Sequence, residues 1–303
     1  MIDESQDAAA EVIAPTRPLY WSVRRELWEN RFLHLAPLVV TAVVLFASLI
    51  STVYLPHKIR TLSALDPARR HAAVVAHFSM APAPIMMTTL LIGLFYCLDA
   101  LYGERRDRSM LFWKSLPVSD LTTVLSKASI PLLVLPLIAF ALSVITQLIM
   151  LFASTAVLII NGVSPAALFA EFRFFQGPLV MLYGLTVHAL WFAPIYGWLL
   201  LVSAWARRMP VLWATLPLLA LGVVEKIAFG SSHFANLLKY RVIGAMGLAF
   251  ATDPSHHGTG VLDQLSQLRP GAFLSAPGLW TGLIATAAFL AAAVRLRRDR
   301  QPI

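Results

Sequence analysis

Six long apolar stretches constrain this chain more than any other feature of its sequence. A backbone N–H or C=O in hydrocarbon has no water to bond, so a crossing segment closes its hydrogen bonds within itself as a helix. About 20 apolar residues in a helix cover the roughly 30 Å of hydrocarbon in a bilayer. The stretches run over Leu35–Leu55, Pro84–Tyr102, Ile130–Ile160, Pro178–Ala206, Val211–Phe229 and Pro277–Leu296. They predict an all-α integral membrane protein with six transmembrane helices and both termini on one side. The third stretch is longer than the bilayer requires, so it tilts or projects. Gly184, Pro194 and Gly197 mark bends in the fourth. With 58% hydrophobic and only 13% charged residues, the chain has too little charge to cover a soluble surface.

The charge that remains sorts by side. One side collects Arg17, Arg24, Arg25, Arg31, the Tyr102–Lys127 loop, Arg207, Arg208 and the Arg295–Arg300 tail. The other collects the sparser Lys58, Arg60, Arg69, Arg70, Arg173, Lys239, Arg241 and Arg269. The richer side is expected in the cytoplasm, and the termini with it. The net charge of +8 then reads as loops facing anionic headgroups. No basic run interleaves with aromatics outside the membrane flanks, so nucleic acid is not an expected partner.

Residues 1–18 are acidic, Ala-rich and aperiodic, and are expected as a disordered tail without the basic start of a signal peptide. Residues 19–303 then form one domain. Leu19–Leu35 mixes Leu19, Tyr20, Val23 and Leu27 with Arg24, Arg25, Glu26 and Glu29, with Trp21 and Trp28 among them. That pattern suits an amphipathic helix in the headgroup plane. Phe234–Phe250, within the long connection before the sixth stretch, is apolar enough for a re-entrant or interfacial helix.

Catalytic and cofactor motifs are missing. There is no phosphate-binding G-x-x-x-x-G-K-[ST], no H-E-x-x-H and no G-x-S-x-G, so neither enzymatic activity nor a cofactor in this chain is expected. Cys97 is the only cysteine, and the adjacent His256 and His257 cannot share one metal in good geometry, so no metal site is expected. Polar groups inside the stretches carry two readings each. Asp99 reads as a structural pair with Arg105 or Arg106, or as lining a vestibule. Glu225, with Lys226, reads as snorkelling or as part of an exit path. His188 reads as an interhelical hydrogen bond or a relay. Ser143, Thr146 and Gln147 share a face and read as helix glue or pathway lining.

The polar interruption Tyr102–Lys127 concentrates charge between two crossings. Glu104, Arg105, Arg106, Asp107 and Arg108 open it, and Met110, Leu111, Phe112 and Trp113 follow as an apolar knob. Such a knob is wasteful on a bare loop unless it packs on something. Ser119 or Asp120 can then cap a new helix. Docking onto a protein partner is the reading these residues suggest.

Glu104-Arg105, then Phe112 to Asp120 (FWKSLPVSD), then Ser126-Lys127 resemble the corresponding loop of type-2 ABC transporter permeases, the membrane subunits of bacterial ABC exporters. The order of an amphipathic helix, six crossings, a short fourth-to-fifth connection and a large loop before the sixth matches over nearly the whole chain. Asp107 and Arg108 depart from the small residues common there. The resemblance implies that Glu104–Ser115, with Arg106, Arg108, Leu111, Phe112 and Trp113, is a coupling helix seated on a separate cytoplasmic ATPase. Arg24, Arg25 and Trp28 would belong to a connecting helix touching the same partner. It further implies a second permease chain, alike or different, ATP and Mg in the ATPase dimer, the bacterial inner membrane, and alternating access. Two other readings compete: a non-transporting sensor or assembly subunit moved by such an ATPase, and an ion-driven secondary transporter. The latter would need intramembrane carboxylates, and only Asp99 and Glu225 are available. A membrane-embedded enzyme would need a catalytic set at one depth, which these residues do not supply.

Overall fold

A computed structural model of the chain describes residues 16–57, 78, 81–107, 118–171, 175–251 and 265–299. Among them the regular structure is helical, with a single isolated bridge between Phe250 and Leu268. In chain order the helices are α1 (Thr16–Glu29), α2 (Phe32–Val53), α3 (Pro82–Asp99), α4 (Tyr102–Arg106), α5 (Asp120–Ser129), α6 (Leu135–Ile160), α7 (Ala166–Glu171), α8 (Gln176–Trp205), α9 (Pro210–Phe229), α10 (His233–Ala249), α11 (Pro270–Leu274) and α12 (Pro277–Asp299). Six segments are long and apolar enough to cross a membrane: α2, α3 with α4, α5 through α6, α8, α9 and α12.

Their limits follow local chemistry. α1 ends at Glu29 and α2 starts at Phe32, so the amphipathic helix expected through Leu35 breaks at Asn30 and yields its last turn to the first crossing. Thr16–Pro18, expected in the tail, begin α1. Ser119 is extended and accepts from the Thr122 amide at 3.1 Å, capping α5. Between α5 and α6 the turn Ile130–Val134 is a π-helix in which the Leu135 N–H reaches the Ile130 carbonyl. Pro131 lies within it and Pro136 just beyond it, and each lacks the amide that the regular ladder needs. α8 and α9 are joined by a tight turn in which Met209 takes φ 47°.

Bilayer hydrocarbon is as apolar as leucine, so helix association in it rests on close packing and polar ties. α8 is the hub. Over half (56%) of its apolar window is buried within the chain, against 6% for α9. Its most extensive neighbour is α12. The two run parallel, since Trp191 approaches Gly278, Gly197 approaches Thr286, and the Trp198 ring meets Phe289 at 5.7 Å. α2, α3 and α6 pack together on the other flank, and α3 touches α8 through Tyr96, Cys97 and Tyr196. α9 leans on α8 through a Trp198 indole bond to the Ala214 carbonyl at 3.1 Å. It leaves Leu216, Leu219, Val223 and Ile227 exposed. α10 covers the N-terminal half of α8, with Ala245, Ala249 and Phe250 against Val180 and Val187.

Candidate functional site

One end of the bundle holds a cluster of charged side chains contributed by four helices, with a tyrosine from a fifth. Glu26 of α1 is 1% exposed, Lys127 of α5 is 2% exposed, and Glu104 of α4 and Arg297 of α12 are also buried. Lys127 Nζ donates to Glu26 Oε1 at 2.8 Å and lies 3.0 Å from Glu104 Oε1. Arg25 Nη2 donates to the same two carboxylates, at 2.9 and 3.4 Å. Arg297 pairs with Glu104 through Nη1 and with Asp120 through Nε at 3.0 Å. Tyr96 of α3 completes Glu26 by donating its hydroxyl to Oε2 at 2.7 Å. Arg25, Lys127 and Arg297 thus face Glu26, Glu104 and Asp120, with Glu29 at the rim 3.6 Å from Arg25.

Local folding explains why these groups meet. Glu26 lies one helical turn from both Ser22 and Asn30, on the inner face of α1. Asn30 donates to the Glu26 carbonyl at 3.0 Å where the helix ends. Burial pushes the Glu26 carboxyl up, but Lys127 and the bonds from Lys127, Tyr96 and Arg25 outweigh it, so it lies below its ordinary value. Glu29, at the rim, is raised because burial outweighs its attraction to Arg25. A buried charge left alone is expensive, and a paired, hydrogen-bonded set avoids that penalty.

A second set of bonds ties α4 to the end of α8. The Ser203 hydroxyl accepts from the Leu101 and Tyr102 amides, at 3.0 and 2.9 Å, where α3 gives way to α4. Arg105 Nη2 donates to the Ser203 and Ala206 carbonyls, at 2.8 and 2.6 Å. A cation on the last carbonyls of a helix satisfies acceptors that have no partner inside it. Both ends of the polar interruption are therefore rooted in this block: Glu104 and Arg105 at its start, Asp120 and Lys127 at its end. Arg25 and Arg297 converge on Glu104, which sets the C-terminal ends of α1 and α12 together at one end of the bundle.

The sequence-expected residues divide. Glu104 and Arg105 face inward and are engaged by their own chain, whereas the docking reading has them presented outward. Arg106 and Asp107 are exposed and pair with each other at 3.0 Å. Arg108, Leu111, Phe112 and Trp113 lie outside the described residues. Arg25 belongs to the cluster, while Arg24 lies between the exposed Trp21 and Trp28 rings, 5.1 and 4.5 Å from their centroids. Asp99 is exposed beside Gly103. Ser143 and Thr146 are fully buried; Thr146 bonds back to Leu142 at 2.7 Å and the Ser143 hydroxyl has no hydrogen-bond partner. Gln147 is half-buried. His188, expected to bond between helices, meets Tyr196 of its own helix at 3.2 Å and stacks on Phe192. Glu225 caps α10, accepting from Ser231, from the His233 amide and from the Phe234 amide at 2.6, 2.6 and 2.8 Å. These positions do not converge on one site. Among the described residues, no group of three His, Cys, Asp or Glu side chains is placed to hold a metal.

Compared with family models, curated proteins and solved structures, the chain matches none. Sequence reasoning missed Glu26, Lys127, Arg297, Asp120 and Tyr96 as cluster members. Lys127 carried a signal, because a lysine four residues before Pro131 at the head of a long apolar helix needs a partner. What the arrangement can do is mechanical: it welds α1, α3, α4, α5, α8 and α12 into one block.

Proposed function

We propose that this chain is the membrane-spanning subunit of an ABC exporter, moved by a separate ATPase that docks on the segment between the second and third crossings. The observation that carries this reading is the rooting of that segment. A force on residues 108–117 would enter the protein through Glu104, Arg105, Asp120 and Lys127, which are bonded to α1, α8 and α12. Displacement of the segment would tilt several crossings together, as rigid-body alternating access requires. The long continuous α5–α6 unit gives such a lever its length, and its π-turn is a place where it can flex.

In this reading the segment faces the cytoplasm of a bacterial inner membrane, α1 lies along the headgroups beside it, and the apolar flank of α9 is available to a second permease chain. ATP and Mg are handled by the ATPase.

The test is co-purification with a named partner. The chain, expressed with the ABC ATPase encoded nearest to it, should form a stable complex with ATPase activity. Phe112→Ala with Trp113→Ala should release that ATPase while the permease keeps its elution profile. Retention of the complex by the double variant would refute docking at this segment.

A further inference from the structure

Away from the charged end of the bundle, one arginine is held by no carboxylate among the described residues. Arg241 of α10 inserts its guanidinium between α8 and α12. Nη1 donates to the Trp191 carbonyl at 3.3 Å, Nη2 donates to the Gly278 carbonyl at 3.0 Å, and the group lies 4.7 Å from the Trp191 ring centroid. The Trp191 indole returns a bond to the Arg241 carbonyl at 2.7 Å. Gly278 and Gly282, one turn apart on α12, leave the necessary channel: a Cβ on Gly282 would fall 1.7 Å from Arg241 Nη2.

The position is far from the charged end. Trp191 precedes the end of α8 by 14 residues, or about 21 Å of helix, and Gly278 precedes Arg295 by 17, or about 26 Å. Around it α10 exposes Leu237, Leu238, Val242 and Ile243, and α12 exposes Trp280 and Ile284. Among the described residues no acid lies within ion-pair distance of Arg241, and carbonyl dipoles supply only part of a countercharge. Its guanidinium has five N–H donors, two of them used by the protein, and the residue is half-buried.

We infer that Arg241, steadied by Trp191, Gly278 and Gly282, is the anchor of a binding site for a lipid-borne phosphate, the oxyanion bonding the guanidinium and the hydrocarbon lying on the exposed faces of α10 and α12. Arginine is suited to this task because its planar fork takes two phosphate oxygens at once. The site stands whether or not an ATPase moves the chain.

The experiment uses the full chain in phosphatidylcholine nanodiscs doped with a phosphatidylglycerol carrying a photoreactive headgroup, with cross-links mapped by peptide. The expected result is labelling at residues 237–245 and 278–284, reduced at least about tenfold in Arg241→Gln. Gly282→Ala, which displaces the guanidinium but keeps its charge, should lose the same labels, while labelling at α1 persists in both as the control for folding. Should Arg241→Gln fail to fold, Gly282→Ala and Arg241→Lys decide. Undiminished labelling in the folded variants, or none at these residues in the wild type, overturns the site. Suppression of the labels by excess inorganic phosphate would overturn the lipid-borne assignment in favour of free phosphate.

Discussion

Replacing Glu104 by glutamine probes the buried cluster at its centre. The carboxylate pairs with Arg297, lies 3.0 Å from Lys127 and accepts from Arg25 at 3.4 Å. Without its charge, the buried Lys127 and Arg297 lose the carboxylate they share, and Lys127 is left to Glu26 and Arg297 to Asp120. Breaking a buried ion pair from one side costs about 3–5 kcal/mol. At roughly 2–4 °C per kcal/mol, the expected drop in melting temperature is on the order of 10 °C. Lys127→Met should cost a similar amount, removing a charge of the opposite sign. The double variant removes one charge of each sign, so its loss should fall short of the sum of the two by at least about 1 kcal/mol. The assay is scanning fluorimetry of the eight tryptophans in detergent, at one fixed scan rate. Additive losses, or a Glu104→Gln variant no weaker than one lacking the exposed Arg106–Asp107 pair, would refute the claim that the cluster acts as a unit.

Ser203→Ala should destabilise the α3–α4 junction by about 1–3 kcal/mol, because it leaves the Leu101 and Tyr102 amides without their acceptor; faster exchange of those two amides is the readout, and unchanged exchange would contradict it. The folded Glu26 carboxyl lies below its ordinary value of 4.5, so its contribution is complete above that value and is lost as pH falls through the lower folded one. Acid should therefore loosen α1, seen as a change in Trp21 and Trp28 fluorescence, and Glu26→Gln should abolish that transition. Glu225→Ala should raise exchange at the His233 and Phe234 amides, which it now holds. Trp113→Ala should weaken ATPase association more than Lys114→Ala, measured by co-purification; equal effects would remove the apolar-anchor argument.

The six membrane-length helices were legible because hydrocarbon leaves the backbone one local solution, and apolar length announces it. The expected limits of Val211–Phe229 and the start at Pro277 agree with α9 and α12 within a residue. The break at Asn30 was less visible, since the apolar pattern runs through it unbroken. The cluster was hidden for a different reason. Glu26 and Lys127 are 101 residues apart and Glu104 and Arg297 are 193 apart, and nothing in a local pattern pairs them. Arg297 looked like one more basic residue at a membrane flank. Glu104 was singled out as a surface charge, yet its neighbours in space turn it inward. Glu225 belonged to a short-range device, an acid placed before Ser231 and His233, and the turn at Gly230 (φ 64°) that lets it fold back was present in the sequence.

The most direct test of the account concerns which face of the membrane carries the segment between the second and third crossings. Cys97 is fully buried, so a cysteine introduced as Trp113→Cys can be read on its own with a membrane-impermeant maleimide. Labelling is expected in inside-out vesicles and not in right-side-out ones, with protection when the ATPase is bound. Labelling from the outer face would contradict it.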